Sequence, residues 1–168
     1  TVWGQVISGM EAIEKLSGKD NFLWTGPNWE NFDNSKTVDE NLLALIAKIG
    51  EKIIDFSEDF ATEVSWGRGD EHGTFTFRCD SDFGTLPLFH MTSDGQLNLQ
   101  INFLREKDLP KQVLRDMVVK LEANFLRDYD DESYPSDSYE NMEYLFHTYT
   151  QVDKFLGTVE GVVYRLKQ

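Results

Sequence analysis

The sequence predicts an α+β fold, a four-stranded antiparallel β-meander with helices packed on its apolar face. Three observations predict it. Between residues 60 and 104, apolar and polar residues alternate with a period of two, as in an antiparallel sheet with one wet face. Short connectors rich in Gly, Asp and Ser divide that stretch into four runs. On either side of it the apolar spacing becomes i, i+3, i+4, i+7, which is helical. An unbroken block of strands flanked by helices is an α+β pattern.

Taken in order, Val6, Ile7, Met10, Ile13 and Leu16 predict a first helix over residues 5–16, stopped by Ser17-Gly18. Phe22, Trp24, Trp29 and Phe32 then lie among Gly26, Pro27, Asn28 and Asn34, an irregular aromatic stretch that reads as a lid over the core. Thr37-Val38-Asp39-Glu40 has the form of a capping box, in which hydroxyl and carboxylate close the exposed N–H groups of a helix start. The helix it opens runs to about Phe56, with Leu42, Leu45, Ile46, Ile49, Ile53 and Phe56 on one stripe.

The four strand runs are 60–66, 73–79, 86–91 and 96–104, and Val64, Trp66, Phe75, Phe77, Leu97, Leu99, Ile101 and Phe103 are expected to face the helices. Their connectors are Gly67-Arg68-Gly69-Asp70, Asp80-Ser81-Asp82-Phe83-Gly84 and Thr92-Ser93-Asp94-Gly95, whose Asp-Gly is a strong tight-turn signal. Asp108 is the expected N-cap of the next helix, with Pro110 in its first turn and its end near Arg127. Residues 128–143 carry seven acids and no base and read as an exposed connector. Residues 142–146 fit either a short edge strand or part of a helix. A closing helix with a capping signal at 150–153 follows, apolar at Val152, Phe155, Leu156, Val159, Val162, Val163 and Leu166.

A chain of 168 residues with no composition break reads as a single domain over 1–168. Its net charge of −14 repels phosphate backbones, so direct nucleic-acid binding is not expected. Cys79 is the only cysteine, which excludes an intrachain disulfide and fits a reducing, cytoplasmic setting. No apolar run approaches the roughly 18–20 residues of a membrane span. The start at Thr1-Val2-Trp3 suggests the C-terminal part of a longer intracellular protein.

The densest polar constellation is the first hairpin, 66–73. Trp66, Arg68, Asp70, Glu71 and His72 are the candidate ligand or partner contacts there. Three glycines let the backbone approach a ligand, and Arg68 supplies a fork for a carboxylate or phosphate. The hairpin is not a P-loop, because it lacks the terminal Gly-Lys-Ser/Thr. His72, His90, His147 and Cys79 are scattered without metal-ligand spacing, so neither a metal nor a cofactor is expected. No nucleophile elbow and no acid–x–Lys pair on a strand appears, and no catalytic residue is assigned.

The run Val64-Ser65-Trp66-Gly67-Arg68-Gly69-Asp70-Glu71-His72-Gly73-Thr74-Phe75, then Pro87-Leu88-Phe89-His90 and Asp94-Gly95-Gln96-Leu97-Asn98-Leu99-Gln100-Ile101-Asn102-Phe103-Leu104, resembles a C-terminal domain of bacterial proteins. Some of those carry restriction-endonuclease-like regions upstream. The similarity covers roughly residues 60–166 and implies a fold more than a chemistry. The function expected is a non-catalytic accessory or protein-interaction domain, with a protein partner or a nuclease-like N-terminal domain to regulate. Two rivals stand beside it: a small enzyme or anion-binding domain working from the hairpin, and an acidic mimic of nucleic acid.

Overall fold

A computed structural model describes residues 35–68, 72–129 and 139–167. The helix expected over 5–16 and the aromatic lid lie outside the described residues, as do Gly69, Asp70 and Glu71 of the hairpin.

Helix α1 spans Val38–Phe60. The Thr37 hydroxyl accepts the Glu40 N–H at 3.1 Å, which satisfies one exposed donor of the first turn. Leu42, Leu45, Ile46, Ile49 and Ile53 are buried along the expected stripe. The helix runs a turn past Phe56, which brings Phe56 and Phe60 into a stack at 4.7 Å.

The strands that follow are β1 Glu63–Arg68, β2 Gly73–Ser81, β3 Gly84–Thr92 and β4 Gln96–Leu99. They pair antiparallel in sequence order, the meander that the alternation predicts. A fifth strand, β5 Glu140–Asn141, joins the outer edge of β4 through Gln96 and Leu97, so the sheet has five strands among the described residues. The Met142 N–H adds a bond to Gly95 O at 2.9 Å and opens α4, Met142–Leu145. The ambiguous segment 142–146 is therefore helical over Met142–Leu145, with the edge strand immediately before it. Two turns use left-handed glycines, Gly84 at φ 102° and Gly95 at φ 86°.

Register sorts the side chains into rows. Val64, Phe77, Phe89 and Leu99 form one row across four strands, and Trp66, Phe75, Met91 and Leu97 form the next. Both face α1 and the closing helix α5, Tyr149–Leu166. Phe77 lies 6.0 Å from Phe56, and Phe89 meets Phe155 edge-on at 5.2 Å. A bulge between Phe77 and Arg78 sets Pro87 against Arg78 and leaves Leu88 extra on β3. Proline has no N–H for the ladder, so an irregularity there costs least. The bulge also returns Leu86, buried opposite Cys79, to the core face.

Four expectations are corrected. The fourth strand ends at Leu99, not at residue 104: Gln100 turns the chain and α2, Ile101–Arg105, begins. Ile101 and Leu104 are both buried at a spacing of three, so the local alternation there was half of a helical pattern. Phe103 is half-buried and lies beneath the Lys107 ammonium, 4.6 Å from its ring centre. Helix α3, Lys111–Phe125, takes Pro110 rather than Asp108 as N-cap, with Pro110 at φ −55° and ψ 117° and Asp108 exposed. Helix α5 is capped at Thr148, where hydroxyl and Gln151 side chain form a full capping box, two residues before the expected signal. Finally, the acidic connector is not exposed throughout, since Tyr129 and Glu143 at its described ends are buried.

Among the described residues, no helix is long and apolar enough to cross a membrane.

Candidate functional site

β1 is the outer strand of the sheet, and among the described residues it pairs only with β2. Its Trp66 lies in a core-facing row but at the open end of that row, and 40% of it is exposed. Trp66 is thus on the expected face but only partly covered. One edge of its indole packs on Phe75, with ring centres 5.1 Å apart and planes at 74°. Such an arrangement fixes the ring against the core. Gly67 follows in the same strand, where an added Cβ would lie 3.6 Å from that of Thr74, an ordinary contact. Arg68 closes β1 with its backbone opposite Gly73, and His72 is half-buried just before β2. The Gly73 N–H donates to the Ser93 hydroxyl at 2.7 Å, which ties the hairpin root to the β3–β4 turn.

The opposite face of the sheet carries a polar row that the sequence did not single out. Ser65, Thr76, His90 and Asn98 align in register across β1 to β4. Thr76 Oγ1 and His90 Nδ1 share a hydrogen bond at 2.6 Å, and Arg78 Nε donates to Ser65 Oγ at 2.9 Å. Burial holds the His90 pKa below its ordinary value, the Arg78 guanidinium pushes the same way, and a hydrogen bond with Gln100 opposes them. The net effect favours the neutral imidazole of His90. Thr76 and Asn98 are buried, so this row serves first to satisfy polar groups inside the sheet. Cys79 is buried on the other face and donates to Asp80 O at 3.3 Å. Burial pushes its thiol pKa up, which makes it a poor nucleophile. Among the described residues, no three His, Cys, Asp or Glu side chains converge as a metal centre would require.

Two open grooves border α3. One, of about 370 Å³, runs between α3 and α5 and is lined by Lys120, Ala123, Asn124, Lys154, Gly157 and Thr158. The other, of about 400 Å³, lies between α2 and α3 and is lined by Arg105, Lys111, Leu114, Arg115, Val118 and Val119.

Set against known proteins, the chain matches no family model, no curated protein and no solved structure. What its surfaces do must follow from their own chemistry.

Of the five hairpin residues proposed from sequence, the structure places Trp66, the backbone of Arg68 and His72 around one hairpin root, and Asp70 and Glu71 lie outside the described residues. The grooves were missed. Their signal was present, since Lys111 and Arg115 are one helical turn apart and Val118 and Val119 follow on the same side. No basic run in the sequence marks them, because α2 has to fold back before Arg105 can join.

Proposed function

We propose that this chain is a non-catalytic accessory domain that binds a protein partner at the outer strand of its sheet, around the β1–β2 hairpin. The observation that carries the reading is Trp66, seated edge-on against the core ring Phe75 and 40% exposed beside a Gly-rich turn. A ring already held in place can bury its exposed part against a partner at little further ordering cost, and Trp and Arg are enriched at binding hot spots. The net charge of −14 favours a protein over a nucleic acid as the occupant. An edge strand is moreover where an extended segment adds main-chain hydrogen bonds.

The test is a selection of displayed peptides on the immobilised domain, followed by affinities for the Arg68→Ala and Trp66→Ala variants. Loss of more than about 1 kcal/mol of binding in both, with Arg68→Ala keeping the wild-type melting temperature, supports the reading. Selected peptides that bind both variants as they bind the wild type would refute it.

A further inference from the structure

The α2–α3 groove stands out by charge. Residues 105–120 hold Arg105, Lys107, Lys111, Arg115 and Lys120 against only Glu106, Asp108 and Asp116, in a chain where acids outnumber bases 30 to 16. Three of those bases line the groove, and its remaining lining is the aliphatic set Leu114, Val118 and Val119. Val119 is 55% exposed.

The two α3 cations of the groove, Lys111 and Arg115, are not consumed by acidic neighbours among the described residues. The Asp116 carboxylate, one residue from Arg115, is held by Arg165 at 2.6 Å and by Gln112 at 2.8 Å, which turns it toward α5. Among the described residues, no carboxylate pairs with Lys111 or Arg115. Arg105 is held at the margin of the groove by the Asn102 side chain at 2.6 Å and by the Tyr129 carbonyl, and it adds positive charge there.

We propose that this groove receives a short acidic, amphipathic peptide segment. An aliphatic side chain of the segment lies over Leu114, Val118 and Val119, and its carboxylates meet Arg115 and Lys111. Lys111 and Arg115 are spaced i, i+4 on α3, so carboxylates one helical turn apart in the partner match them. Charge complementarity selects the class. An extended anionic surface such as a lipid bilayer or a nucleic-acid duplex would meet the whole repulsive field of the molecule, whereas a short segment meets the groove alone. The proposal is independent of the hairpin reading, because groove and hairpin share no residue.

The probe is a synthetic helical peptide of about 15 residues with paired Glu at i, i+4 around a central Leu. Its binding to the whole chain is read by fluorescence anisotropy. The expected result is saturable binding that weakens as salt rises. It falls at least about tenfold when the peptide's Glu become Gln, when its Leu becomes Ser, or in the Arg115→Glu variant. Trp66→Ala leaves it unchanged. Equal binding of the Glu and Gln peptides would overturn the proposal, and so would full binding by an Arg115→Glu, Val119→Asp double variant that keeps the wild-type melting temperature. Binding of phosphatidylserine vesicles at Arg115 with no binding of the peptide would reassign the groove to lipid and overturn it equally.

Discussion

Phe89 is the ring on which the core turns, and truncating it should be among the costliest single changes in the molecule. It is fully buried. It stacks on Phe77 at 5.2 Å, meets Phe155 edge-on at 5.2 Å and tilts against Phe75 at 6.3 Å, so it joins the sheet to α5. Phe89→Ala removes the transfer energy of the ring and leaves a cavity that the sheet cannot close, since Phe77 and Phe75 are fixed on the neighbouring strand. The expected loss is about 3–5 kcal/mol. Phe89→Leu keeps most of the apolar volume but gives up three ring–ring contacts, each worth about 0.5–1.5 kcal/mol and sharing one ring, for an expected loss of about 1–3 kcal/mol. Urea unfolding followed by circular dichroism measures both, with slopes that should stay close to wild type. A loss below about 1.5 kcal/mol for Phe89→Ala, or equal losses for the two variants, would refute a core organised around ring contacts.

Three further outcomes follow from particular groups. His90 has a folded pKa below the reference value of 6.5, so its unfolded form takes a proton first as pH falls. Stability should drop from about pH 6.5 toward the lower folded pKa, and His90→Gln should flatten that part of the profile measured between pH 7.5 and 5. Leu126 ends α3 in the left-handed region at φ 54° and is 82% exposed. Left-handed backbone costs a side-chain-bearing residue about 1–2 kcal/mol and glycine gives back about 0.5–1 in entropy, so Leu126→Gly should exceed Leu126→Ala in stability by about 0.5–1 kcal/mol. Equal stabilities would show that the turn relaxes. Thr148→Ala removes half of the α5 capping box and should cost about 1 kcal/mol in equilibrium denaturation, with an unchanged value pointing to a water in its place.

Much of the fold was legible because its signals are local. Phe75 and Phe77 against Thr74 and Thr76 state the two faces of β2 outright, and Thr37 and Gly95 mark a cap and a turn through their own backbone chemistry. The errors came where two periods overlap or where partners are distant. Leu97, Leu99, Ile101 and Phe103 extend an alternation that Gln100 interrupts without any Gly or Pro to announce it. β5 is too short to have a period at all. The exposure of Trp66 was invisible for another reason: residue order tells which face a side chain joins, not how far the covering helices reach along it. The α2–α3 groove depends on a chain reversal, and no window of sequence contains its shape.

The outer edge of β4 has a consequence for synthesis. Gln96 and Leu97 find their partners at Asn141 and Glu140, more than forty positions later in the chain. While the ribosome adds those residues, the four-stranded meander already exists in principle but ends in an unpaired edge beside the buried Leu97. The nascent chain thus passes through an interval in which another copy of the same strand is a competent substitute for β5. Two residues of late-arriving strand, followed at once by the turn of α4, then act as a stopper that shuts this edge.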